Sequence, residues 1–205
     1  MEEQSRVHIS VKELLKIDEE QTRSLGLEVI SGDKGLDKLI MSEEINRPGL
    51  PLAGFFDCFA YNRIQILGKG EIAYIEKLIY ENNTGHIEKF FQHDIPVIMI
   101  TNNIQIPDYL TQLSNQYSIP ILRTRLSSKW FIALISAILA DLFAPFVTFH
   151  GNFVSIYNIG VLITGKSGIG KSESVLGLVE RGHKFICDDI VKINTAFWNI
   201  KEAEK

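Results

Sequence analysis

The sequence predicts an α/β protein in two parts: an N-terminal α/β domain with a mostly parallel sheet over residues 1–127, and a smaller α/β core over 148–205, with a linker helix at 128–147. Three observations carry that division. Up to about residue 125, short apolar runs with strand character alternate with helical periodicity, the pattern of a sheet covered on its faces. A long apolar helix follows in "LSSKWFIALISAILADLFAP". After Pro145 the pattern switches to hairpin-like alternation, and then to a strand, a glycine-studded turn and a helix.

The elements follow in order. "SVKE" at 10–13 is a capping box, with Ser10 as the cap and Glu13 reaching back, and it opens a helix to about Gln21. "GLEVI" reads as a strand and "GLDKLI" as a short helix. "RIQILG" reads as a strand, and a helix runs from Glu71 to Tyr80. "TGHIEKFFQHD" is helical, "IPVIMIT" a buried strand, "PDYLTQLSNQY" a helix with proline at its start, and "IPILRT" a strand. In the second part "VTFHGNFVSIY" alternates, a tight turn falls near Asn158, and "GVLIT" reads as a buried strand.

Composition narrows the function. With 205 residues, 45% hydrophobic and 22% charged, the chain is globular and long enough to bury a core. A formal net charge of −4, with no basic block, excludes a nucleic-acid binder that works by neutralising phosphates. The acidic start "MEEQSRVHIS" is not a signal peptide, and the apolar run at 130–143 is broken by Asp141 and stopped by Pro145, short of the ~20 residues a membrane span needs. Cys58 and Cys187 are far apart and lack metal spacing, so both read as buried reduced thiols of a cytoplasmic protein.

The chemistry concentrates in the turn after "GVLIT". From Gly165 to Ser172 it reads G-x-x-x-x-G-K-S, through Lys166, Ser167, Gly168, Ile169, Gly170 and Lys171. A chance match in a chain of this length is expected about once in a hundred. The flanking strand and helix, "SESVLGLVERG", supply the context this motif requires. Glycines let successive N–H groups face inward, and the helix dipole favours an anion there. Lys171 would bridge terminal phosphates and the Ser172 hydroxyl would ligate Mg²⁺. Gly182 suits the helix C-cap, and His183 beyond it suits the negative dipole end.

Downstream, "HKFICDDIVKI" sets a short strand before Asp188 and Asp189. Beside a metal–nucleotide, such an aspartate can hold Mg²⁺ or accept the proton of an attacking hydroxyl. His150 ends a strand in "FHG", where a histidine is more often a partly buried polar residue than a functional one. His8, His86 and His93 read as ordinary structural residues.

The stretch "HGNFVSIYNIGVLITGKSGIGKSESVLGLVERGHKFICDDIVKI" resembles the HPr serine kinase/phosphorylase family in its histidine–glycine pair, its phosphate loop, its "RGH" and its paired aspartates. "EINRPGLPLAGFFDCFAYNRIQILGKGE" is similar to the family's N-terminal motifs, so the resemblance covers about residues 5–195. It implies a P-loop kinase core similar in fold to phosphoenolpyruvate carboxykinases. The reaction implied is phosphorylation of a regulatory serine on the phosphocarrier HPr, with ATP or pyrophosphate and Mg²⁺, together with phosphorolysis of the product. Lys171 would contact phosphate, Ser172 would hold Mg²⁺, Asp189 would be the general base, and His150 matches a catalytic histidine. A homo-oligomer, a hexamer in the family, is implied as well. Two departures stand out. Lys166 replaces a position the family often makes acidic. The sequence also stops before the C-terminal third, which carries a Mg²⁺-binding glutamate and a catalytic arginine. On that ground the chain is expected either to be an active family member or to be a nucleotide-binding or subunit-pairing remnant.

Overall fold

The computed structural model describes residues 8–20 and 24–194. Its contacts divide into two units, one reaching to Phe143 and one beginning at Ala144.

The first unit runs β1 (Ile9–Ser10), α1 (Val11–Glu20), β2 (Glu28–Ser31), a 3₁₀ turn (Asp33–Gly35), β3 (Leu39–Ile40), β4 (Ile45–Asn46), α2 (Gly49–Leu52), β5 (Ile64–Leu67), α3 (Lys69–Tyr80), α4 (Gly85–Phe91), β6 (Ile98–Ile100), α5 (Asp108–Tyr117), β7 (Ile121–Arg123) and α6 (Ser128–Phe143). Its main sheet has the order β2-β7-β6-β5-β4. β4, β5, β6 and β7 pair in parallel, and β2 lies antiparallel on the β7 edge. This is the mostly parallel sheet that the strand–helix alternation predicts.

Because successive side chains of a strand point to opposite faces, each strand feeds two cores. Leu67, Ile98, Ile100 and Ile121 pack beneath α3, α4 and α5 through Ile75, Phe90, Phe91 and Leu110. Ile64, Ile66, Met99 and Leu122 face the other way, onto Leu14 of α1 and Phe131, Ile135 and Leu139 of α6. The helix read as a linker is therefore packed into the first unit along one face. The Ser10–Glu13 box is formed as expected: Glu13 N–H donates to Ser10 Oγ at 3.1 Å and Ser10 N–H to Glu13 Oε2 at 2.8 Å.

Three expectations are corrected, two here and one in the second unit. "GLDKLI" forms no helix of its own. Gly32, at φ 76°, turns the chain into the 3₁₀ turn, and Leu39 and Ile40 pair with Ser10 and Ile9, burying Ile40. Tertiary pairing of two apolar residues outweighs a weak local propensity. Cys58 is exposed and Cys187 half-buried, both free thiols, whereas the sequence reading had them buried. Cys58 lies in the loop before β5, where Phe59 turns inward and Phe56 and Tyr61 also pack their rings against His93. His93 has the ordinary packing role expected of it.

The second unit runs β8 (Phe146–His150), β9 (Asn152–Ile156), β10 (Ile159–Ile163), α7 (Lys171–Glu180), β11 (Lys184–Cys187) and β12 (Ile190–Asn194). β10, β9 and β11 form an antiparallel sheet, and β12 pairs antiparallel with β8. Tyr157 and Asn158, at φ 50° and 65°, make the two-residue turn between β9 and β10 with the left-handed conformations that tight hairpins favour. β10, expected as a buried strand, is instead the half-exposed edge of a hairpin. It pairs only with β9 among the described residues. Val147, Val154, Val175 and Val191 supply the unit's small core. No helix of the described residues is long and apolar enough to cross a membrane.

Candidate functional site

The predicted loop, Gly165 to Ser172, joins β10 to α7 in the expected strand–loop–helix order. Gly168 and Gly170 adopt φ 79° and 94°, conformations that glycine enters at little cost. Gly170 is also the N-cap of α7. The first backbone bond of the helix is Ser174 N–H to the Gly170 carbonyl, at 3.0 Å. Ser167 and Gly168 lie in a hydrogen-bonded turn, and the first amides of α7 precede the Ser174 bond at the helix N-terminus. Those amides are available to an anion at a helix N-terminus, where the dipole favours negative charge.

Lys171 folds back over the loop. Its ammonium donates to the carbonyls of Gly165 at 2.9 Å and Lys166 at 3.0 Å. An ammonium has three donors, so one remains, with the charge held at the loop mouth. Ser172 follows at the second position of α7, with its side chain exposed, and Ser167 and Ile169 are exposed on the loop. Lys166 takes part through its carbonyl. At the far end of α7, Gly182 N–H donates to the Val179 carbonyl and His183 N–H to the Leu178 carbonyl, at 2.9 and 3.1 Å. This pair of bonds is the C-cap that the glycine predicts.

The aspartates and His150 meet at one end of the β8–β12 ladder. Ile190, the first residue of β12, is in register with His150, the last of β8. Asp189 stands just before it in a left-handed conformation, φ 63°. The turn is held locally: Asp189 N–H donates to Asp188 Oδ1 at 2.9 Å, and Ile190 N–H to the Asp188 carbonyl at 2.8 Å. His150, Asp188 and Asp189 are all exposed.

Gly151 ties this turn to the loop. Its N–H donates to the Asp189 carbonyl at 3.2 Å. A Cβ on its other side would lie 2.5 Å from the Ile163 carbonyl oxygen and 3.3 Å from Thr164 Cγ2. So the backbone leading into the Gly165–Ser172 loop, the histidine and the aspartate turn converge on one buried glycine. The sequence reading did not assign Gly151 this role; the histidine–glycine pair was the available signal. A cavity of 430 Å³ in the first unit, between the Ser24–Glu28 and Thr124–Leu126 segments, brings together none of the predicted site residues.

The family model for the HPr serine kinase N terminus matches residues 9–139, and that for the HPr serine kinase C-terminal domain matches residues 141–202. The chain belongs to the HPr serine kinase family. Among curated relatives of this family, the HPr kinase/phosphorylase of Treponema pallidum (strain Nichols) is 43% identical over 181 residues, 88% of this chain and 57% of its own length. That of Alkaliphilus metalliredigens is 41% identical over 185 residues, 90% of this chain and 58% of its own. That of Leptospira biflexa is 43% identical over 171 residues, 82% of this chain and 52% of its own. The chain thus spans somewhat more than half the length of these HPr kinase/phosphorylases.

Proposed function

We propose that this HPr kinase family chain binds ATP or pyrophosphate at Gly165–Ser172 and transfers a phosphoryl group to a serine hydroxyl of HPr, with phosphorolysis of phosphoserine as the reverse reaction. The observation that supports this best is the Lys171 ammonium folded over the loop at the N-terminus of α7, set on the same glycine hub as the Asp189 turn. The loop amides and Lys171 would take the charge of the terminal phosphates, as electrostatic stabilisation of phosphoryl transfer requires.

Mg²⁺ fits the donor set. It is normally held by one or two protein oxygens and completed by water and phosphate oxygens. Ser172 offers such an oxygen, and the described residues contain no cluster of three or more His, Cys, Asp or Glu side chains that would form an all-protein cage. When bound, the ion would neutralise charge on the phosphates. Asp189 would take the proton of the attacking serine hydroxyl as its oxygen bonds to the terminal phosphorus and the bond to the leaving phosphate breaks. In reverse, a phosphate oxygen attacks the phosphoserine phosphorus, pyrophosphate forms, and the protonated Asp189 returns its proton to the serine oxygen. His150, one register position from the aspartate turn, would help to orient the reacting groups. A kinase core like that of phosphoenolpyruvate carboxykinases, a homo-oligomer and a cytoplasmic setting, where HPr acts, complete the proposal.

The test is to incubate the chain with labelled ATP, Mg²⁺ and HPr, in parallel with Asp189→Asn. Label on HPr is expected from the parent chain, falling by about 10²–10⁴-fold in the variant while nucleotide binding is retained. An unchanged rate in Asp189→Asn removes the base assignment. Bound nucleotide with no label from the parent chain removes the catalytic half of the proposal.

A further inference from the structure

A basic cavity lies at the opposite end of α7 from the Gly165–Ser172 loop. It measures 220 Å³ and is lined by Tyr157 and Asn158 of the β9–β10 turn and by Arg181, His183 and Lys184. α7 has ten residues, which at 1.5 Å each puts its two ends about 15 Å apart. No carboxylate lines the cavity.

Basic residues at a helix C-terminus have a simple structural explanation: they complement the negative end of the dipole. Here that role is largely filled by backbone. The Leu178 and Val179 carbonyls already accept from His183 and Gly182 N–H groups. The Arg181 and Lys184 side chains make no hydrogen bond or ion pair among the described residues. Two cations and an imidazole are thus gathered around one concavity with no acid to offset them, an arrangement in which like charges repel.

The neutral wall is solvent-exposed: Tyr157 sits edge-on to the His183 ring, centroids 4.9 Å apart and planes at 77°, and Tyr157 and Asn158 share the left-handed turn. Arginine favours planar, two-point recognition of phosphate oxygens, and the asparagine amide and tyrosine hydroxyl add neutral donors. The volume is below the roughly 300–1,000 Å³ of pockets for drug-sized ligands. It suits a single phosphate group, with the rest of a ligand lying outside.

We propose that this cavity binds the phosphate group of a small molecule, as a site separate from the phosphate loop. It does not depend on the reading of the loop, and the test keeps the two apart. The ¹⁵N-labelled chain is titrated with inorganic phosphate at ionic strength held constant with chloride, as the parent protein, as Lys171→Ala and as Arg181→Ala/Lys184→Ala. Saturable shifts of the Tyr157, His183 and neighbouring amides are expected in the parent and in Lys171→Ala. In the double variant the apparent affinity falls at least tenfold, while amides elsewhere keep their positions, which shows that the fold is intact. Arg181→Lys, which keeps the charge and loses the fork, should fall between parent and double variant. A parallel titration with glycerol phosphate distinguishes a phosphate monoester, which binds more tightly, from free phosphate, which binds equally well. Shifts that do not saturate, that chloride alone reproduces, that vanish in Lys171→Ala or that survive in the double variant overturn the proposal. Failure of the loop reading has a different signature: Gly168–Lys171 amides that ignore pyrophosphate.

Discussion

Phe90, Phe91 and Phe131 of the first unit are almost completely buried, whereas in the second unit Ile159 and Ile190 are 67% and 54% exposed. The first unit sandwiches a sheet between helices on both faces. The second arranges hairpins around a loop and a turn whose polar groups face solvent. Burying such an apolar side chain contributes about 1.5–3 kcal/mol. The second unit forgoes several of these contributions where it presents its candidate site. Two extensive apolar cores hold the first unit, and strand pairing over a small valine core holds the second.

The largest expected effect concerns exchange of backbone amides. Those of β5 and β6, buried on both faces, should be protected by orders of magnitude more than those of β10 and β11, because protection follows burial and paired neighbours. Hydrogen exchange read by mass spectrometry measures this, and comparable protection would break the contrast. Next, Phe131→Ala should cost about 3–5 kcal/mol of unfolding free energy in urea denaturation, since the ring is fully buried against the sheet. A cost below about 1 kcal/mol would mean that α6 is not a core element.

In the second unit, Gly151→Ala sharpens the comparison. The added Cβ meets the Ile163 backbone at 2.5 Å, so the strand must shift, at about 1–3 kcal/mol. The shift should also appear as altered chemical environments of both Thr164 and Asp189. Movement of one without the other would show that the glycine does not couple them.

The smallest effect is expected at the start of α3. Arg47 donates to both Glu71 carboxylate oxygens, at 2.8 and 3.0 Å, and Glu71 accepts from Gly68 N–H at 2.9 Å. Burial pushes the Glu71 carboxyl up, but the Arg47 hydrogen bonds, the Glu71 and Gly68 N–H groups and the Arg47 charge outweigh it, so it lies below the ordinary 4.5. A carboxyl lowered on folding stabilises above its unfolded value and loses that contribution as pH falls through the folded one. Arg47→Ala should therefore cost about 1 kcal/mol near neutrality and progressively less below pH 4.5. Urea midpoints at neutral and acidic pH check this.

Much of the first unit was legible in the sequence because its elements are strongly periodic and agree with their tertiary setting. The helices at Lys69–Tyr80 and Asp108–Tyr117 and the strand at Ile98–Ile100 fall where periodicity places them. Leu39–Ile40 was not legible, because its pairing with Ile9–Ser10 spans a sequence separation that no local pattern records. The burial of β10 was misread for a related reason: five apolar residues in a row look alike whether both faces are covered or one is open. At the site, the loop announced itself through fixed spacing. Gly151 did not, since a glycine's close contacts depend on strands distant in the chain.

Asp189 pays for its place with its backbone. A left-handed φ of 63° costs an ordinary residue about 1–2 kcal/mol, though aspartate tolerates it better than most. Glycine there would sit comfortably and make the molecule more robust while erasing the acid. If Asp189 is the proposed base, durability and chemistry are opposed at a single position, and a screen that selected for heat resistance alone would be drawn towards discarding that carboxyl group.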